Sequence, residues 1–202
     1  MKEYYYDKLL NIKTRGEQQG FYKSLHYHRY EPTPYSALEE LFKNYELKKS
    51  DRVVDFGCGR GRLNFYIDYF FHTPVTGIEM DETWFEAAVV NRTNYWRKAK
   101  QRREGMVFHC CLAEEYPIAP LDNVFYFFNP FSVQVFRKVI NRILRSVEEF
   151  PRDVELILYY PSEEYVYFLE QDTAFELVQE VRVPFVYEHN QNERFLIYRL
   201  EY

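Results

Sequence analysis

The chain has 202 residues, 47% of them hydrophobic, with a formal net charge of −5. That length supports one well-buried core and is short for two, and the charge gives no global attraction to nucleic acid or anionic lipid. The N-terminal MKEYYYDKLL lacks the long apolar segment of a signal peptide or membrane span, which places the protein in the cytoplasm with no membrane partner. Its three cysteines, Cys58, Cys110 and Cys111, are odd in number with two adjacent, so all are read as reduced thiols.

Residues 1–34 are polar and aromatic without a sustained period and end in HRYEPTPY, where Pro32 and Pro34 forbid a continuing helix. They read as an N-terminal extension, with residues 35–202 as the domain proper. Ser36 and Glu39 fit a capping box, and Leu38, Leu41, Phe42 and Tyr45 carry the helical period to about Leu47. Strand and helix then alternate: a strand at RVVDF, a helix from Leu63 to Phe71, a strand at PVTGIEM, and a helix capped by Asp81. MVFHCC and NVFYFF supply two more strands. The helix after the second, capped by Ser132, bears Val135, Phe136, Val139, Ile140, Ile143, Leu144 and Val147 on one stripe. VELILYY is apolar on both faces, as a covered strand should be, and a short helix from Ser162 to Leu169 precedes two runs around 178–186 and 194–200. The pattern predicts a doubly wound, Rossmann-like, mostly parallel seven-stranded α/β sheet closed by a C-terminal antiparallel hairpin.

Within it, Gly57-Cys58-Gly59-Arg60-Gly61 packs three glycines into five positions between a strand and a helix, where backbone can approach a ligand closely. The dinucleotide fingerprint fails because its third glycine would fall at Arg62, and no G-K-[ST] follows the turn. Asp55, two residues before the first glycine, would repel a pyrophosphate and welcome a ligand with an ammonium group. Asp55-Phe56-Gly57-Cys58-Gly59-Arg60-Gly61, together with Gly77-Ile78-Glu79-Met80-Asp81, resembles the first two motifs of the class I S-adenosylmethionine-dependent methyltransferases.

The resemblance implies S-adenosylmethionine as cofactor. Gly57, Gly59 and Gly61 would bring backbone against the methionine moiety, Asp55 would stand near its ammonium end, Glu79 would accept from both ribose hydroxyls, and Met80 would lie against adenine. The acid common after the third strand is replaced by Leu112, so Leu112 and Ala113 would meet adenine through backbone. Cys58 is a small filler within the turn. At the end of the fourth strand, Asn129-Pro130-Phe131 resembles the [DNS]-P-P-[YFW] motif of enzymes that methylate nitrogen, with one proline missing and the aromatic a residue early. Asn129 and the Pro130 carbonyl would accept from the target NH2 while Phe131 stacks on a planar acceptor; the same pair also reads as a plain strand end.

The extension, where Tyr22, His26, His28, Tyr30 and Tyr35 cluster near the first helix, can close over a cofactor as a lid, with Tyr30 and Thr33 as the candidate contacts. No metal is expected, since His26-x-His28 has no further ligands at metal spacing. The run from Arg92 to Arg103 mixes cations with Tyr95 and Trp96, which suits RNA, although cations also gather at a helix C-terminus because of its dipole. The expected function is methyl transfer to a planar or amine-bearing acceptor. The alternatives are a non-catalytic S-adenosylmethionine-binding module and an RNA methyltransferase using the basic run.

Overall fold

In the computed structural model of the chain, residues 2–15, 30–99 and 105–202 are described. Tyr22, His26, His28, Lys100, Arg102 and Arg103 lie outside them. Among the described residues the elements run α1 (Lys2–Leu10), α2 (Tyr35–Asn44), β1 (Val53–Phe56), α3 (Arg62–Phe70), β2 (Val75–Glu79), α4 (Glu82–Ala99) and β3 (Met106–Cys110). They continue with β4 (Val124–Phe128), α5 (Val133–Glu149), β5 (Val154–Tyr159), α6 (Glu163–Asp172), β6 (Glu176–Arg182) and β7 (Arg194–Leu200).

The strands form one sheet in the order β3-β2-β1-β4-β5-β7-β6, with β7 antiparallel to both of its neighbours. The order reverses between β1 and β4, and parallel registers Phe56 to Ile78 and Phe56 to Phe127 bring the carboxyl ends of β1, β2 and β4 level. In an open α/β sheet that switch point is where ligands bind.

Side chains alternate across the sheet into two cores. Val53, Tyr126 and Ile157 join Leu38 of α2, Phe65 of α3 and Tyr95 of α4 on one face. Val54, Phe125 and Leu156 join Phe136, Val139 and Ile143 of α5 and Leu169 of α6 on the other. Both faces being covered explains why β4 and β5 are nearly continuous apolar runs.

Several boundaries differ from the sequence expectation. Helix α2 starts at Tyr35 with Pro34 as its N-cap, so Ser36 lies inside the first turn and makes no cap bond. Glu39, the other half of the expected box, instead accepts from Lys2 and from Tyr6 (2.6 Å). The helix stops at Asn44, short of Leu47, and Ser132 precedes α5 without a side-chain cap bond. Asp81 does cap α4, accepting from the Thr83 and Trp84 amides at 2.9 and 3.2 Å.

Helix α1 was not anticipated, and a polar network holds it. Asp7 accepts from Thr14 N (2.9 Å), Thr14 Oγ1 (2.7 Å) and Tyr35 OH (2.8 Å). The buried Arg62 at the start of α3 pairs with Glu3, donates to Thr14 Oγ1 (2.8 Å) and the Thr33 carbonyl (3.1 Å), and lies 4.4 Å from the centre of the Tyr35 ring. A buried arginine is tolerated because each of these partners repays part of its lost hydration.

Candidate active site

The chain leaves β1 through three glycines with φ of 79°, 53° and 84° at Gly57, Gly59 and Gly61, a left-handed run that only glycine adopts without cost. Close packing adds a second requirement. A Cβ on Gly57 would stand 2.6 Å from Pro130 Cβ, and one on Gly59 only 2.1 Å from the Tyr30 ring. Those two distances assemble the site: the end of β4 abuts one part of the turn, and the residue that closes the extension lies flat on another.

Two carboxyls govern the charge. Glu79, buried at the end of β2, accepts from the Gly59 amide (2.8 Å) through one oxygen and the Asp81 amide (2.9 Å) through the other. Asp55 lies beneath the turn, and the buried Asn64 of α3, with its amide assigned the orientation that satisfies both neighbours, donates to Asp55 Oδ2 (3.0 Å) and accepts from the Gly77 amide (3.3 Å). Burial, and then the charge of Glu79, push the Asp55 carboxyl up to about 8, and burial raises Glu79 as well. No cation among the described residues offsets Asp55. The folded Asp55 therefore keeps a proton that the unfolded chain has lost, and stability falls as pH rises from about 4 to about 8.

Tyr30 completes one wall. Its ring stacks on Trp84 at 4.9 Å, its hydroxyl donates to the Thr14 carbonyl (2.8 Å), and the Arg60 guanidinium sits 4.7 Å from the Trp84 ring centre. Thr33 is buried against β4, sharing a 2.7 Å hydrogen bond with the Tyr126 hydroxyl, so it acts as a tie between extension and sheet. Met80 is half-buried directly after Glu79, and Leu112 leads into a single 3-10 turn, Ala113–Glu115, with Ala113 buried. The Cys111 amide donates to the Glu79 carbonyl (3.1 Å), which draws this segment to the same sheet edge. Cys58 is buried, its thiol pushed up by burial and by Asp55, consistent with packing and not with nucleophilic attack.

Beyond β4, Asn129 is half-buried with φ 39°, a conformation asparagine tolerates better than most residues. Phe131 departs from its expected position: it is fully buried, set edge-on to Phe127 at 6.1 Å, and its carbonyl accepts from Tyr165. The aromatic surface beside Asn129 comes from residues that sequence reasoning missed. Phe128 lies 4.6 Å from Tyr159 and 6.4 Å from Tyr160, whose hydroxyl accepts from Asn190 Nδ2 (2.8 Å). Tyr160 also has a positive φ of 51°. The strand-end position of Tyr159-Tyr160, level with β4, was the available signal; Asn190 gave none.

No family model and no curated protein matches the chain. Solved structures match it by fold. The [4+2]-cyclase SpnF is 14% identical with a TM-score of 0.60, over 88% of this chain and 87% of that one. The Pyrococcus abyssi tRNA (uracil-54, C5)-methyltransferase, solved with S-adenosyl-L-homocysteine, is 14% identical with a TM-score of 0.55, over 82% of this chain and 38% of that one. A Salinibacter ruber RNA methyltransferase, also with S-adenosyl-L-homocysteine, is 16% identical with a TM-score of 0.52, over 84% and 92%. The chain has the Rossmann-like fold of the class I S-adenosylmethionine-dependent methyltransferases. A cyclase and two methyltransferases share it, so chemistry must be argued from the site.

Proposed function

We propose that the chain binds S-adenosylmethionine across the glycine turn and transfers its methyl group to a planar or amine-bearing acceptor seated on Asn129, Phe128 and Tyr160. The observation that carries the reading is the pair of buried carboxyls, Asp55 and Glu79, flanking three positive-φ glycines with no cation among the described residues to offset Asp55. Such a turn suits a ligand that brings positive charge and hydroxyl donors, and it disfavours a pyrophosphate.

The residues present fit the cofactor. Glu79 uses one lone pair on each oxygen for backbone, which leaves the others for two ribose hydroxyls. Tyr30 and Trp84 wall the turn, while Met80 and the 112–113 segment, drawn to the same sheet edge, are the residues the resemblance assigns to adenine. When bound, S-adenosylmethionine supplies a methyl group already activated by a sulfonium. The protein's share is orientation and proton handling: Asn129 Oδ1 and the Pro130 carbonyl accept from an acceptor NH2 and fix its lone pair, while the Phe128 and Tyr160 rings hold a planar body and exclude water. No helix among the described residues is long and apolar enough to cross a membrane, which fits an acceptor met in water.

Glu79 gives the direct test of cofactor placement. Glu79→Ala leaves the buried Gly59 amide without its acceptor, so it should lower stability by about 1–3 kcal/mol and weaken S-adenosyl-L-homocysteine binding at least tenfold. Glu79→Gln keeps one acceptor oxygen and should fall between. Urea melts and calorimetric titration check both; unchanged affinity in Glu79→Ala would remove the ribose from this position.

A further inference from the structure

A second cavity, of about 480 Å³, lies between α1, the segment 11–15 that follows it, and the middle of α4. Its walls carry Lys8, Lys13, Arg15 and Arg60, with Tyr4 and Asn94 beside them. Among the described residues one acid also lines it, Asp7, but that carboxylate is turned into the chain and accepts from Thr14 and Tyr35. Among the described residues, none of the four cations forms an ion pair. Four cations lining one cavity with no ion-pair partner among the described residues, in a chain of net charge −5, favour an anion there.

The cavity is also rigid. Asn91 of α4 accepts from the Lys13 amide (2.9 Å) and donates to the Lys13 and Arg60 carbonyls (3.2 and 3.1 Å). Lys98 donates to the Lys8 and Leu9 carbonyls (2.8 and 3.0 Å), closing the end of α1. Arg60 is fixed by its bond to the Arg15 carbonyl (2.7 Å) and by Trp84, and its buried Nε meets no acceptor among the described residues. A carboxylate would satisfy one arginine fork; four cations lining one cavity, with the Arg60 Nε donor still open among the described residues, suit a group with more charge and more acceptor oxygens.

We propose that this cavity binds the phosphate of a nucleotide, free or within an RNA strand, with Lys8, Lys13, Arg15 and Arg60 on the phosphate and Tyr4 beside the base. It shares Arg60 with the glycine turn but lies away from Asp55 and Glu79, and the proposal does not depend on methyl transfer. The probes are inorganic phosphate, uridine monophosphate, uridine and a ten-residue oligouridylate, titrated into the full chain at 50 mM salt. The phosphate-bearing probes should bind and uridine should not. Lys8→Ser with Lys13→Ser, whose side chains are exposed, should keep the melting temperature and S-adenosyl-L-homocysteine affinity yet weaken the phosphate-bearing probes at least tenfold. For the oligouridylate the salt slope should shrink by about 1.4, since roughly 0.7 of a counterion is released per phosphate neutralised on a single strand. An oligouridylate at least tenfold tighter than uridine monophosphate identifies RNA as the source, and equal affinity identifies a free nucleotide. Failure of all three phosphate-bearing probes to bind, or binding unchanged in the double variant, overturns the proposal.

Discussion

Gly59→Ala should reduce S-adenosylmethionine affinity at least a hundredfold while the sheet still folds. A methyl group there would stand 2.1 Å from the Tyr30 ring and must be held at φ 53°. The left-handed conformation alone costs alanine about 1 kcal/mol, and moving Tyr30 forfeits its stack on Trp84 and its bond to the Thr14 carbonyl, each about 1 kcal/mol. Those costs fall on the turn and lower its stability; affinity drops because the cofactor needs the parent turn and the Tyr30 wall, and a hundredfold loss corresponds to about 2.7 kcal/mol of that preorganisation. Because Trp84 loses its stacked neighbour, intrinsic fluorescence should change in the variant before any ligand is added. Affinity within threefold of the parent would show that the turn is only a tight connection.

Removing the Asn129 side chain should leave cofactor affinity nearly intact and slow methyl transfer by about one to three orders of magnitude, because the lost interaction is felt mainly in the transition state. Its φ of 39° makes Asn129→Gly the cleaner variant, since alanine would add backbone strain to the lost carbonyl. Radiolabelled cofactor incubated with cell extract identifies an acceptor fraction as small molecule, RNA or protein, and the same fraction then serves both proteins. Asn129→Asp, which retains an acceptor oxygen, should recover part of the rate. Equal labelling by parent and Asn129→Gly would take Asn129 out of the mechanism. Cofactor binding without labelling of any fraction would favour a binding module over an enzyme.

The parts of the molecule that local chemistry determines were legible in the sequence. Gly57, Gly59 and Gly61 declare a turn that no other residue makes cheaply, and the stripe on α5 declares a buried face; both stand where they were expected. Helix α1 escaped because KEYYYDKLL has no apolar stripe of its own and is held by Asp7, Glu3 and Arg62, partners up to 59 residues apart. The capping box at Ser36 and Glu39 failed for a related reason, since Glu39 is drawn to Lys2 and Tyr6 of that same helix. In the site, Asp55 could be read from its place before the glycines and Glu79 from the family resemblance, but the support of Asp55 by Asn64 and the wall of Trp84 against Tyr30 exist only once the chain has folded back. Phe131 shows the limit of motif transfer: with one proline missing, the aromatic arrives a residue early and its ring enters the core, while Phe128 and Tyr160 pair with each other at the adjoining strand ends. Lys98, grouped by sequence with a basic run, donates to the carbonyls that end α1.

The central claim is that the turn between Asp55 and Glu79 accepts a cationic nucleoside, and calorimetry in two buffers of different ionisation enthalpy tests it most directly. With the Asp55 carboxyl held up to about 8, the free protein carries a proton there at pH 7 that a bound ammonium and sulfonium would displace. S-adenosylmethionine should therefore bind with release of up to one proton, seen as a buffer-dependent enthalpy that vanishes in Asp55→Asn, while NAD gives no heat. Tight binding of NAD with no response to S-adenosylmethionine would contradict the account.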